Sequence, residues 1–128
     1  MHERTIVSTE NAPKAIGPYS QAVKAFGFVF TSGQIPLDPK SGEMVGGDDA
    51  RAQTTQIMKN LAAVLEAAGT SFDNVVKTTI FVTNLADFTA VNETYGAYFT
   101  AAPPARSTVQ VAALPKGARV EIEMVAIS

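Results

Sequence analysis

The chain has 128 residues, with 10 Lys+Arg against 12 Asp+Glu for a formal net charge of −2. The length suits one domain spanning residues 1–128, and the near-neutral balance argues against a nucleic-acid coat, which wants a clustered basic footprint. Cysteine is absent and His2 is the one histidine, which excludes disulfides and thiolate sites and argues against a Ser-His-Asp triad or a multi-histidine metal centre.

Charged residues make up 17% of the chain, below the roughly 25% of an average soluble domain. A small domain short of charge hints that another subunit covers part of its surface. No segment approaches the ~20 apolar residues that span a membrane. Met1 to Glu10 lacks the apolar core of a secretory signal, so the expected location is the cytoplasm.

In chain order, Thr5 to Ser8 is a short β-type run, and Glu10-Asn11-Ala12-Pro13 reads as a turn. Gly17-Pro18 breaks the chain again, because proline fixes its own φ and biases its predecessor away from helix. Ser20 to Lys24 and Phe26 to Ser32 read as strands joined at Gly27. Gln34 to Gly47 is a loop by its Pro and Gly content. A helix follows, capped by Asp48 or Asp49 and closed by Gly69, with Ile57, Leu61, Val64, Leu65 and Ala68 as its apolar stripe and Lys59, Asn60 and Glu66 off it. Val75 to Val82 is a β-branched strand. Asn84 and Asp87 resemble a capping pair, opening a helix with Phe88, Val91, Tyr95 and Phe99 on one face that Pro103-Pro104 ends. Arg106 to Val111 and Arg119 to Ile127 are the last strands, with a turn over Leu114 to Ala118.

The pattern β-β-β-α-β-α-β-β predicts an α+β domain, one mixed sheet with two helices on one face. Its strands carry apolar residues at both parities, Ile80 and Val82 against Phe81. The second face therefore needs a cover, and another copy of the chain is the natural one.

Period two groups Arg106, Thr108 and Gln110 on one side of their strand, and Glu121 with Glu123 on one side of theirs. An arginine offers a rigid donor fork for a carboxylate or phosphate. A partly buried glutamate can serve as general acid or base. The same spacing also suits a structural Arg106–Glu121 ion pair at a sheet edge, and Glu123 suits a solvated or interface charge. Tyr19 is either a core aromatic or a hydroxyl at a pocket rim. Ser32-Gly33 is either a turn or a close backbone approach to a ligand. Asn92 sits at the margin of the helix stripe as a boundary amide. Phe26, Phe28 and Phe30 alternate, and core packing explains them better than base stacking, since no Lys/Arg cluster interleaves them. No phosphate-cradling glycine motif occurs.

Several separated segments are recognisable together: Ala15-Ile16-Gly17-Pro18-Tyr19-Ser20-Gln21-Ala22, Thr31-Ser32-Gly33-Gln34-Ile35-Pro36, Lys77 to Val82, and Pro104-Ala105-Arg106-Ser107-Thr108-Val109. Leu114-Pro115-Lys116-Gly117 and Val120-Glu121-Ile122-Glu123 follow. Over nearly the whole chain they resemble the reactive intermediate deaminase (RidA) family, in its imine-deaminating branch. The resemblance implies a chorismate-mutase-like fold, a homotrimer with sites in clefts between subunits, and no cofactor or metal. It implies hydrolysis of 2-imino acids, such as 2-iminobutanoate and 2-iminopropanoate, to 2-oxo acids and ammonia. It places the carboxylate-binding arginine on Arg106 and the water-positioning glutamate on Glu121. It puts further substrate contacts on Tyr19, Ser32, Gly33, Asn92 and the Thr108 carbonyl, Thr108 standing where many members have cysteine. Two other classes fit such a chain: an endoribonuclease or translation inhibitor, and a non-catalytic trimer that binds small carboxylates or acts as a chaperone.

Overall fold

The computed structural model describes residues 3–128, so His2 lies outside the described residues. The elements are β1 (Thr5–Val7), β2 (Ala22–Ala25), β3 (Phe28–Thr31), α1 (Ala50–Ala67), β4 (Val75–Val82), α2 (Phe88–Gly96), β5 (Ala105–Gln110) and β6 (Val120–Ile127), in the expected order. The strands form one sheet in the order β1-β2-β3-β6-β4-β5. β4 and β5 pair in parallel, as a crossover through α2 requires, and the other neighbours are antiparallel.

Local chemistry accounts for most boundaries. β2 and β3 are joined by Phe26-Gly27, both at positive φ (55° and 80°), the turn whose twist matches that of the flanking strands. The Asp49 carboxylate accepts from the N–H groups of Arg51 and Ala52 at 2.9 and 3.3 Å and so starts α1. Gly69, at φ 82°, closes it. Ile57, Leu61, Val64 and Leu65 are fully buried, each side chain worth about 1.5–3 kcal/mol of burial.

Three readings of these elements need correction. Asn60 is not off the buried stripe: it is buried, and its amide donates to the Leu37 carbonyl at 2.9 Å, tying the loop before α1 to the helix. Asn84 and Asp87 do not form a capping pair. Asn84 caps a single 3-10 turn, Leu85–Asp87, through the Ala86 N–H, while Asp87 takes the Arg119 guanidinium at 3.1 Å. Finally, α2 ends at Gly96, well before Pro103. Phe99 keeps its place against Tyr95, ring centres 4.9 Å apart, through 3-10-type turns beyond the helix, so the apolar spacing outlasts the helix itself.

The register sorts the sheet into two faces. Ile80, Thr108 and Ile122 share a row, as do Thr78, Arg106 and Met124, and these rows face the helices. The opposite parity carries Phe81, Val109 and Glu121 in one row and Thr79, Ser107 and Glu123 in the next. Toward the other edge this open face continues through Phe30, Val125, Val23 and Ile6. Phe30 and Ile6 are 44% and 52% exposed. Phe28 and Phe30 thus belong to the open face and not to the core, and Phe26 is more exposed still.

Candidate active site

Arg106 is held on the helix side of the edge strand β5. Its Nη1 donates to the Asn92 Oδ1 at 2.7 Å. The guanidinium carbon lies 5.7 Å from the centre of the Phe88 ring and 5.3 Å from that of Tyr95, within cation–π range. Phe88, Asn92 and Tyr95 stand four and three residues apart, so one face of α2 presents all three. The Tyr95 hydroxyl is hydrogen-bonded to Thr78 Oγ1 at 2.7 Å in the buried layer. Burial pushes the Tyr95 phenol above its usual value, against the opposing pull of that bond and of Arg106. Asn92 occupies one nitrogen of the guanidinium fork, and the remaining N–H donors can meet a planar anion.

Glu121 lies on the other face. It projects from β6 over Gly33, where the chain leaves β3. Gln34 and Ile122 exchange backbone hydrogen bonds at 2.9 and 3.1 Å, which brings Gly33 against the carboxylate. A Cβ built at Gly33 would meet the Glu121 Cδ at 2.8 Å, so the absence of a side chain is what admits the carboxyl here. Burial pushes the Glu121 carboxyl above the usual value of 4.5, and the neighbouring Glu123 pushes it the same way. Glu121 and Gly33 open on a cleft of about 380 Å³ whose wall includes Tyr19, Ile16, Ile35 and Pro115.

Tyr19 is half exposed at the rim of this cleft and accepts from the Ile16 N–H at 3.4 Å, so it is a rim residue and not a core aromatic. The Ser32 hydroxyl donates to the Ser20 carbonyl at 2.5 Å, and so pins the Tyr19 loop to the end of β3. Gln21 completes the brace. Its amide nitrogen donates to the carbonyls of Thr9, Ala12 and Pro13 and its oxygen accepts from the Thr9 N–H.

The carboxylate and the guanidinium therefore do not share one β-region of the chain. β4 separates their strands, and they point from opposite faces, Arg106 in the Thr78 row and Glu121 in the Phe81 row. An ion pair between them within one chain is excluded by the pleat. Thr108 faces the helices with Arg106, and its Oγ1 is buried without a hydrogen-bond partner. The Val111 N–H bonds to Val82 on β4, so alternation turns the Thr108 N–H and C=O outward along the free edge. Among the described residues, no group of three or more His, Asp or Glu side chains is placed to hold a metal ion. No helix among them is long and apolar enough to cross a membrane.

The sequence reading missed Phe88 and Tyr95 as neighbours of the guanidinium, taking them for core stripe. The spacing of Phe88, Asn92 and Tyr95 was the available signal. Gln21 was missed as a brace as well, although it stands inside one of the recognisable segments.

A family model described as Endoribonuclease L-PSP matches residues 9–128. "Protein DfrA" of Myxococcus xanthus is 58% identical over 98% of this chain and 96% of its own. The human 2-iminobutanoate/2-iminopropanoate deaminase is 52% identical over 97% of this chain and 90% of its own. Among solved structures, a Rid-family protein of unknown function from Yersinia pestis superposes with a TM-score of 0.96 at 51% identity. That match covers 98% of this chain and all of the other.

Proposed function

The chain belongs to the Endoribonuclease L-PSP family, and from that premise we propose that it is an enzyme hydrolysing 2-imino acids to 2-oxo acids and ammonia. Relatives about half identical to it carry the name 2-iminobutanoate/2-iminopropanoate deaminase. The observation that carries the reading is Glu121: a carboxyl with a raised pKa, set over a side-chain-free glycine in an apolar-walled cleft. A site that only bound carboxylates would need Arg106 and have no use for a second, acidic group.

In this mechanism Arg106 clamps the substrate carboxylate with the donors that Asn92 leaves free. Glu121 and the Thr108 carbonyl orient a water, and the water oxygen attacks C2 of the protonated imine. The C–O bond forms as the C=N π pair moves to nitrogen, and Glu121 takes the water's proton. It then returns that proton to the amine nitrogen. The C–N bond breaks with its pair on nitrogen as the hydroxyl lone pair closes the carbonyl, and the hydroxyl proton passes through Glu121 to the departing ammonia, so the products are a 2-oxo acid and ammonium. The raised carboxyl exchanges protons more nearly in balance with such a substrate than an ordinary one would, and proton transfer of this kind is worth about 10²–10⁴-fold.

Because Arg106 and Glu121 leave opposite faces, one substrate can meet both only where two chains abut. The assembly that goes with the reading is a homotrimer with its sites in the clefts between neighbours. The apolar open face from Ile6 through Phe30 to Val125 supports it as the surface the copies bury. The second reading, RNA cleavage, is favoured by the family description and by the description of solved relatives from Thermotoga maritima and Entamoeba histolytica as endoribonucleases. Against it, Phe28 and Phe30 share their side of the sheet with the carboxylates of Glu121 and Glu123, and Phe26 stands in the β2–β3 turn.

The test is a trapping assay. A threonine dehydratase generates 2-iminobutanoate in the presence of semicarbazide, and semicarbazone formation is followed with and without this protein. A marked fall in trapped imine, absent with Arg106→Ala, is expected. Unchanged trapping at high protein concentration would remove the hydrolase reading.

A further inference from the structure

The geometry points to Tyr95 as a positioning residue for Arg106: its ring, fixed by the Thr78 hydroxyl, holds the guanidinium plane in the orientation that receives a carboxylate. The inference rests on the reading of Arg106 as the substrate clamp. It concerns a residue that touches no substrate and that the apolar periodicity of α2 places in the core.

Four observations meet at this point. The Arg106 guanidinium carbon is 5.3 Å from the centre of the Tyr95 ring. Tyr95 is 4% exposed, so its ring is held by packing and not by solvent-side chance. Its hydroxyl and that of Thr78 satisfy each other at 2.7 Å, and Thr78 sits directly opposite Arg106 in the β4–β5 register. The residue that fixes the ring is thus the strand neighbour of the residue the ring orients. Finally, Asn92 binds one terminal nitrogen of the fork from the same helix face.

Each contact restrains a different freedom. The Asn92 bond fixes where one nitrogen lies but leaves the guanidinium free to rotate about that nitrogen. A ring face opposes that rotation, because the cation is attracted across the face and repelled by the ring edge. Phe88 lies against the same guanidinium at 5.7 Å, but it is partly exposed and carries no hydroxyl to lock it. Tyr95 is the anchored member of the pair. A bidentate clamp depends on that plane: a fork turned out of register still offers charge but loses the paired N–H···O geometry.

The test separates ring from hydroxyl. Tyr95→Phe keeps the ring and strands the Thr78 hydroxyl. It should lower the melting temperature and, because packing still holds the ring once the hydroxyl lock is gone, weaken binding of 2-oxobutanoate, the stable carboxylate probe, by less than loss of the ring does. Tyr95→Leu removes the ring and should weaken 2-oxobutanoate binding about 5- to 10-fold, the range a partly desolvated cation–π contact supports. It should raise KM more than it lowers kcat. In an Arg106→Ala background, Tyr95→Leu should change binding no further. A purely structural role would make affinity follow melting temperature through both variants, and that pattern overturns the inference, as does unchanged affinity in Tyr95→Leu. The Arg106 side-chain N–H resonance gives a readout independent of activity: its ring-current shift should persist in Tyr95→Phe and shrink in Tyr95→Leu. If the wild-type protein neither binds 2-oxobutanoate nor hydrolyses imines, the deaminase reading fails, while the resonance still decides whether Tyr95 orients Arg106.

Discussion

Replacing Gly33 with alanine places a methyl group where the Glu121 carboxyl now lies. The backbone there is outside the left-handed region, so the substitution carries no conformational strain. The added Cβ would stand 2.8 Å from Cδ and 3.1 Å from Cγ of Glu121. Ordinary contact between carbons needs about 3.5–4.0 Å, so the carboxyl carbon must withdraw by about 0.7–1.2 Å. The obstacle is the end of a flexible side chain, and the stability cost should stay within about 1 kcal/mol. The chemical cost is larger, since a misplacement of ~1 Å at a reacting group can cost about 10²-fold in rate. The semicarbazide assay reads kcat/KM and a thermal melt reads the fold. Loss of about two orders of magnitude in rate with a melt near wild type is the expected result. The double variant with Glu121→Gln should be little worse than Glu121→Gln alone, because both act on one group. A Gly33→Ala enzyme with wild-type turnover would refute the role given to the Glu121 position.

Three further outcomes follow from the carboxyl and from the open face. The acid limb of kcat/KM should lie above the ordinary carboxylate value of 4.5, since burial and then Glu123 raise the Glu121 pKa, and Glu123→Gln should move that limb down. Between the ordinary value and the elevated native one, the folded chain keeps a proton the unfolded chain has lost. Stability should therefore fall as pH rises through that window, and Glu121→Gln should flatten the slope in a pH series of melts. Phe30→Asp puts a charge on the open apolar face, where the side chain is already partly solvated. It should yield a folded chain that sediments as a monomer and has lost activity, and a variant that still sediments as a trimer would remove the open face from the assembly.

Most of the architecture was legible because local and tertiary signals agree. Gly27, Asp49 and Gly69 punctuate the chain where the turns and caps occur, and the β-branched runs give β4 and β6 their bounds. The misreadings have physical causes. Asn60 is buried because the Leu37 carbonyl needs a donor, a long-range demand that no helical wheel displays. Asp87 leaves the capping site because Arg119, distant in sequence, holds it. Phe28 and Phe30 read as core because alternation reports apolar faces without saying which face the helices cover, and Phe26 because a left-handed turn leaves no mark on the spacing. The pleat parity of Arg106 and Glu121 within their own strands was correct. What the spacing could not supply was the strand order, with β4 between them, and so the relation of one face to the other.

That relation gives the molecule a particular economy. On the proposed chemistry each chain carries two dissimilar half-sites facing away from one another, and neither works alone. Dilution then acts as an inhibitor, switching the chemistry off without altering any chain. Damage also stops being private to the chain that bears it. In the proposed trimer, a subunit whose guanidinium is lost would still lend its carboxylate to the neighbour on one side, and one whose carboxylate is lost would lend its guanidinium to the neighbour on the other. Two inactive kinds of chain would thus hold working sites between them that neither could form with its own kind.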